Sequence, residues 1–152
     1  MTGLGFPLTE EGAEQTRFEF AGIPNSQTKR TLLFRGKAVA QIEGLELKAH
    51  FLVPDIGWLI VADFDCPFEE LAMFHLLRDD FESLDSIRVG KMGCVGFFMD
   101  MKASGPHEFL FEFPDKGDWH KLLIEPWVEG FLLKKNRWLK VTLANGERSP
   151  FV

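Results

Sequence analysis

Asp63, Asp65 and Cys66 form the most suggestive chemical cluster in the sequence, at the end of an apolar run. If the strand predicted for that run continues, Asp63 and Asp65 point to the same face, and their carboxylates lie within about 7 Å of each other. Such a pair could bind a cation or divide acid and base roles. The simpler interpretation is a strand end that becomes polar as it leaves the core. We adopt it and assign no metal site and no catalytic residue.

The other reactive side chains form no recognisable motif. No two of the four histidines (His50, His75, His107 and His120) are separated by one, three or four residues, so no single element offers a pair of metal ligands. His50 falls on a polar strand face and is predicted to be exposed, whereas His75 is predicted to be a core histidine. The serines lack the Gly-x-Ser-x-Gly turn, and the glycines lack nucleotide-loop spacing. We therefore expect no cofactor and no enzymatic activity.

Charge is distributed unevenly along the chain. Its 17 basic and 23 acidic residues give a net charge of −6, and the segment from Asp63 to Asp85 contains eight acids against one base, Arg78. A solvated face is the ordinary use of such a run. The lack of catalytic motifs favours a further hypothesis, a non-enzymatic interaction protein that engages a basic protein partner, as an immunity protein or an adaptor does. Its predicted partner-binding residues are Asp63, Asp65, Glu69, Glu70, Asp79 and Asp80.

A basic cluster occurs nearer the C-terminus, with no acid between Gly130 and Gly146; its members are Lys134, Lys135, Arg137 and Lys140. With Trp138 among them, these residues could hold a single nucleic-acid strand by charge and stacking. The apolar residues between them instead favour a sheet ribbon whose basic side chains are exposed. Because the whole chain is acidic, we do not expect it to bind nucleic acid or an anionic membrane.

The aromatic residues suggest an alternative function. The chain contains 16 Phe, four Trp and no Tyr. Core packing is the ordinary role of such rings, but a cavity lined by Phe and Trp could also hold an apolar or sugar-like small molecule. The candidate pocket residues are Trp58, Trp119 and Trp127. A third hypothesis places a metal or enzyme site around Asp63, Asp65 and a neighbouring histidine.

The elements that must position these residues are mainly β-strands. Turn signals recur about every eight to twelve residues, as in sandwiches and barrels. Apolar residues alternate in Leu45–Val53 and again around Phe109–Phe113, which is typical of half-buried strands, while Trp58–Ala62 is apolar throughout and predicts a strand covered on both faces. Phe131–Leu133 and Trp138–Leu143 predict a hairpin closed around Lys135 and Asn136.

One segment, Pro67–Val89, fits two structures. Pro67 followed by Glu69 and Glu70 favours a helix start, and the residues up to Arg78 are good helix formers. The same segment also fits a hairpin that turns at Asp79 and Asp80. The predicted fold is therefore mainly β, an antiparallel β-sandwich or partly open β-barrel of about nine or ten strands, with at most one short α-helix near 67–79.

Length and composition predict one globular domain over residues 1–152. The N-terminus does not resemble a secretory signal, and no apolar run reaches the length of about 18 residues needed to span a membrane as a helix. We therefore expect a cytoplasmic protein in which Cys66 and Cys94 are reduced, although the sequence does not exclude their pairing. Homo-oligomerisation is left open.

Overall fold

The computed structural model describes residues 18–64, 71–90, 100–114 and 116–152, and these residues form β-structure without a helix. Their eleven strands are β1 (Phe18–Gly22), β2 (Lys29–Phe34), β3 (Lys37–Glu43), β4 (Glu46–Val53), β5 (Gly57–Asp63), β6 (Ala72–Arg78), β7 (Ser83–Val89), β8 (Asp100–Gly105), β9 (Glu108–Glu112), β10 (Trp119–Glu129) and β11 (Lys135–Leu143). The predicted all-β, antiparallel class is confirmed. Since the described residues contain no helix, none of them provides a membrane-spanning one.

The strands form three antiparallel sheets, each built from strands that follow one another in the chain. Their orders are β1-β2-β3, β4-β5-β6-β7 and β8-β9-β10-β11. None of the three closes into a barrel in the part of the chain that the structure describes, so the arrangement is that of packed sheets rather than the barrel alternative.

The β4–β7 sheet is covered on both faces. Along β5, Leu59 and Val61 belong to a large apolar cluster shared with the β8–β11 sheet, while Ile60 between them belongs to a smaller cluster shared with the β1–β3 sheet. All three side chains are fully buried. Because successive side chains on a strand point to opposite faces, the uninterrupted apolar run of β5 supplies both cores at once.

Both clean alternations correspond to strands in which fully buried side chains alternate with more exposed ones. On β4, Phe51 and Val53 are fully buried and Leu52 between them is exposed, and on β9 Phe109 and Phe111 are fully buried. Phe51 and Phe109 contact each other across the large cluster, with ring centroids 4.9 Å apart. The two patterns that most strongly predicted strands thus meet in one core.

The ambiguous segment forms a hairpin, and the helix near 67–79 is wrong for the residues that the structure describes there. Ala72–Arg78 is β6, paired along its length with β5, and Ser83–Val89 is β7. Every residue of β6 except Arg78 is buried. Burial of the Leu, Met and Phe side chains on both faces of the strand outweighs the helical propensity of these residues, because helical propensity is a small energy per residue. Residues 65–70 and 91–99, including Cys66 and Cys94, lie outside the described ranges.

Two histidines occupy the face of the β4–β7 sheet that meets the β1–β3 sheet. His75 is a satisfied core histidine, as predicted: Nε2–H donates to the Glu43 carbonyl and Nδ1 accepts from the Ser86 hydroxyl, each at 2.8 Å. The prediction that His50 is exposed is wrong, because its ring lies 5.2 Å from that of Phe18 and is half-buried. Burial lowers the pKa of both histidines.

Gly57, at the start of β5, is required by its backbone. Its φ is +153°, and a Cβ placed there would lie 2.1 Å from the Leu77 carbonyl oxygen and 2.5 Å from the carbonyl carbon of Arg78. We expect Gly57→Ala to lower the free energy of unfolding by about 2–4 kcal/mol, measured by urea denaturation, because the backbone of β6 would have to move. Gly22→Ala is the control. That site has no atom within 4 Å, and we expect a change within about 0.5 kcal/mol. Equal effects of the two substitutions would contradict the prediction.

Candidate functional site

The β10–β11 hairpin carries the candidate site, and a register shift divides it into a core part and an outer part. In the core part Leu122 and Leu139 are fully buried. The shift falls between Ile124 and Trp127, where Pro126 cannot donate to the ladder. Proline usually limits a strand, but β10 continues past Pro126 to Glu129. Beyond the bulge both strands lie half-buried or exposed.

The tip of the hairpin exposes three consecutive large apolar side chains. Phe131, Leu132 and Leu133 are 89%, 88% and 91% exposed. The predicted hairpin, with these residues in a strand and a turn at Lys135 and Asn136, is wrong: the turn is at residues 130–134, and Lys135 begins β11. The turn lies there because of Gly130, which has a φ of +93°. The Leu133 carbonyl oxygen lies 2.5 Å from the position that a Cβ on residue 130 would take, so only glycine fits.

A buried ion pair fixes the hairpin to β7. The Asp85 carboxylate is 9% exposed, and both of its oxygens lie 3.0 Å from Arg137 Nε. Its Oδ2 also accepts from the backbone N–H groups of Trp138 and Leu139 at 2.9 Å, and its Oδ1 accepts from the N–H of Ser86 at 2.8 Å. The carboxylate thus joins the β4–β7 sheet to the β8–β11 sheet at the point where the outer part of the hairpin begins.

These bonds set the charge state of Asp85. Burial by itself raises the pKa of the carboxyl, but the N–H groups of Leu139 and Trp138 and the Arg137 guanidinium outweigh it, so the pKa lies below its ordinary value. Arg137 also donates to Glu129 and to the Ser86 carbonyl. One acid of the acidic segment and one base of the basic cluster therefore neutralise each other inside the protein.

A groove of about 660 Å³ lies beside this ion pair. Its charged and aromatic lining residues are Arg88, Trp127, Glu129, Arg137, Lys140 and Arg148. Lys140 Nζ lies 5.4 Å and Arg137 Cζ 5.9 Å from the centroid of the Trp127 ring, and Trp127 Nε1–H donates to the Leu139 carbonyl at 3.0 Å. Among the lining side chains four are cationic and one is a carboxylate, so these side chains make the groove basic, although the chain as a whole is acidic.

The structure does not bring the described acids of the predicted partner-binding set together. Asp63 is 5% exposed and lies 3.3 Å from Lys48 Nζ, whereas Asp79 and Asp80 occupy the exposed β6–β7 turn. Asp63 pairs with Ala72 at the start of β6, whereas Asp79 and Asp80 follow Arg78 at its end. Ala72 and Arg78 are six residues apart, which separates the two ends of the strand by about 20 Å. Asp65, Glu69 and Glu70 lie outside the described residues. The acidic docking surface stays a prediction.

The three tryptophans of the alternative pocket lie in different places. Trp58 packs against Phe18 and Phe34, with ring centroids 5.1 and 5.7 Å apart. Trp119 lies beneath Lys102, whose Nζ is 4.9 Å from the ring centroid, and lines a second depression. Of the three, Trp127 alone lines the basic groove.

A buried Ser149–His120 pair escaped the sequence analysis because its members are 29 residues apart. Ser149 Oγ accepts from the Phe151 N–H at 3.1 Å and donates to His120 Nε2 at 2.7 Å, while Nδ1–H of His120 faces the Asp118 carbonyl at 3.3 Å. This is the hydrogen-bond order of an activated serine. Ser149 is only 2% exposed, however, so the pair fastens the C-terminal segment rather than presenting a nucleophile.

No three His, Cys, Asp or Glu side chains converge to a metal-binding group within the described ranges. The sequence matches no protein-family model, and neither the curated proteins nor the solved structures give a significant match. The inference of function therefore depends on the hairpin, its apolar tip and the basic groove.

The ion pair that holds this hairpin has a defined pH signature. We expect Asp85→Asn to lower the free energy of unfolding by about 3–5 kcal/mol at neutral pH, because Arg137 loses its buried counter-ion and keeps only the more exposed Glu129 as an ionic partner. Since the pKa of Asp85 is lowered by folding, its stabilisation is present above the unfolded value of about 4 and is lost as the pH falls through the folded value.

Urea denaturation of both proteins across the acid range measures this difference, which we expect to narrow below about pH 4. Asp79→Asn, in an exposed turn, is the control and should change stability by less than about 0.5 kcal/mol at every pH. The role of the ion pair would be contradicted if wild type and Asp85→Asn differed little in free energy of unfolding at neutral pH, or if their difference did not decrease in acid.

Proposed function

We propose that this chain is a non-enzymatic binding protein that attaches to an anionic membrane surface through the tip of the β10–β11 hairpin. The observation that carries the proposal is the exposure of Phe131, Leu132 and Leu133, each close to nine-tenths, on one short turn. Exposed apolar residues are ordinary when scattered, but a contiguous group at a protruding end marks an interaction site.

Insertion of the tip would remove its apolar surface from water. Full burial of one Leu or Phe side chain contributes about 1.5–3 kcal/mol. Interfacial elements insert their apolar side to a depth of about 5–10 Å, which a turn of this length can span. The Gly130 turn holds all three side chains at the end of the hairpin, so they enter the bilayer without a change of fold.

The charges next to the tip favour an anionic surface. Lys134 and Lys135 directly follow the three apolar residues, and each cation near an anionic leaflet contributes about 1 kcal/mol. Glu129, on the other strand, is engaged by Arg137. The net charge of −6 was the reason for not expecting the chain to bind an anionic membrane. At physiological salt, however, charges more than about 8 Å apart are largely screened from each other, so the positive charge next to the tip outweighs the net charge of the chain.

The shape of the tip favours a bilayer over a protein partner. Three side chains offer about 500 Å² of apolar surface, whereas a stable protein interface buries about 800 Å² on each partner. A convex tip also needs a matching recess in a protein, while lipid deforms around it. The acidic-segment hypothesis has less geometric support, because Asp63 and Asp85 are both buried in ion pairs.

Co-sedimentation with vesicles tests the proposal. We expect the wild-type chain to bind vesicles of mixed phosphatidylserine and phosphatidylcholine more tightly than vesicles of phosphatidylcholine alone. The triple substitution Phe131→Ser, Leu132→Ser, Leu133→Ser should weaken binding by at least about 100-fold, since three apolar side chains are lost. Lys134→Gln with Lys135→Gln should weaken binding to the anionic vesicles only.

Leu52→Ser is the matched control, because Leu52 is 37% exposed on β4, away from the tip, and should leave binding unchanged. Near-UV circular dichroism checks that each variant keeps its fold. The proposal is overturned if wild-type protein binds neither kind of vesicle, or if the triple variant binds as well as wild type. It is also overturned by self-association in sedimentation velocity that the triple variant abolishes, which would assign the tip to a second copy of the chain.

A further inference from the structure

We infer that the groove beside Trp127 is a binding site for a phosphorylated ligand, held by Lys140 and Arg148. This site goes beyond membrane attachment and does not depend on it, because its lining residues are distinct from those of the tip.

The four groove cations differ in their partners. Arg137 is held by Asp85 and Glu129, and Arg88 Nη2 lies 3.4 Å from Glu43 Oε2. Lys140 and Arg148 line the same groove and have no carboxylate partner among the residues that the structure describes. With the paired charges set aside, the groove retains two positive charges that no carboxylate of the described residues neutralises.

Two cations that line one groove match the charge of a phosphate group. A phosphate monoester carries close to two negative charges at neutral pH and three acceptor oxygens, whereas a carboxylate carries one charge. Arginine presents a planar fork of donors that suits phosphate, and lysine adds a compact point charge. A dianion therefore compensates both Lys140 and Arg148 and uses both kinds of donor.

The remaining space in the groove fits an organic group attached to the phosphate. A volume of about 660 Å³ lies within the usual range for small-molecule sites and exceeds what phosphate alone would fill. Trp127 supplies an aromatic wall, and its hydrogen bond to the Leu139 carbonyl fixes the ring. The site thus combines two phosphate-binding cations with a rigid apolar surface for the rest of the ligand.

Two sources could supply this chemistry, a lipid headgroup or a free phosphorylated compound. Trp127 precedes Gly130 by three residues on β10, so it lies about 10 Å behind the tip. That spacing would bring the groove near the headgroup layer when the tip is inserted. A free ligand would use the same cations and needs no bilayer.

Titration with soluble phosphates tests the site without lipid. The probes are pyrophosphate and glycerol 3-phosphate, with acetate at equal ionic strength as the control anion. The readout is the indole N–H resonance of Trp127, assigned by its loss in Trp127→Phe. We expect saturable shifts with both phosphates and none with acetate.

The double substitution Lys140→Gln, Arg148→Gln should weaken phosphate binding by at least about tenfold, since two charge-assisted contacts are lost. The matched control, Lys134→Gln with Lys135→Gln, removes the same charge outside the groove and should change the affinity by less than about twofold. The triple tip variant should bind pyrophosphate like wild type, which separates this inference from the membrane proposal.

A comparison of binding to phosphatidic acid vesicles and to phosphatidylserine vesicles of equal surface charge distinguishes a lipid headgroup from a free phosphorylated ligand. A preference for phosphatidic acid that Lys140→Gln, Arg148→Gln removes supports the site and assigns a headgroup. Equal binding of both vesicles, with soluble phosphate still bound, supports the site and assigns a free ligand. A wild-type protein without saturable phosphate shifts, or equal affinity in the groove variant, overturns the inference.

Discussion

A carboxylate removed from water must be surrounded by donors, and Asp85 meets that condition only if β7 and β11 lie side by side. Its acceptors are filled by the guanidinium of Arg137 and by three backbone N–H groups, two of them on β11. Isolated on either strand, the same charge would be costly. The placement of the β10–β11 hairpin against β7, and with it the orientation of the apolar tip and the basic groove, therefore depends on this carboxylate in addition to the core.

The β4–β7 sheet provides the rigid base for that hairpin. Its strands β5 and β6 are buried on both faces, and the larger of the two clusters extends to Leu122 and Val141 on the hairpin itself. The inner part of the hairpin thus belongs to a core, while the part beyond the Pro126 bulge projects from it. An inner part anchored in the core and an exposed tip are what a binding element at the end of a hairpin requires.

Much of the architecture could be predicted because it is local in sequence. The alternation around Phe51 and Phe109 and the apolar run of β5 each reflect the two-residue period of a strand. The features that define the site are not local: Asp85 and Arg137 are 52 residues apart, and their charges were assigned to two separate solvated faces. Phe131–Leu133 was predicted as a strand because apolar residues normally enter a core, and no local pattern distinguishes an apolar turn that stays in water. The glycine directly before the three apolar residues, Gly130, was the available signal of a turn.

The consecutive order of strands within each sheet bears on how the chain is made. Every pairing among the described strands joins neighbours in the sequence, so each of these hairpins can form as soon as its second strand leaves the ribosome. The first sheet cannot finish in this way, because the apolar side chains of Phe18, Leu32 and Ile42 pack against Ile60 and Leu77, which are synthesised later. Until β5 and β6 are synthesised, the face of the β1–β3 sheet that carries these side chains lacks Ile60 and Leu77 as packing partners, and transiently exposed apolar surface of this kind favours aggregation.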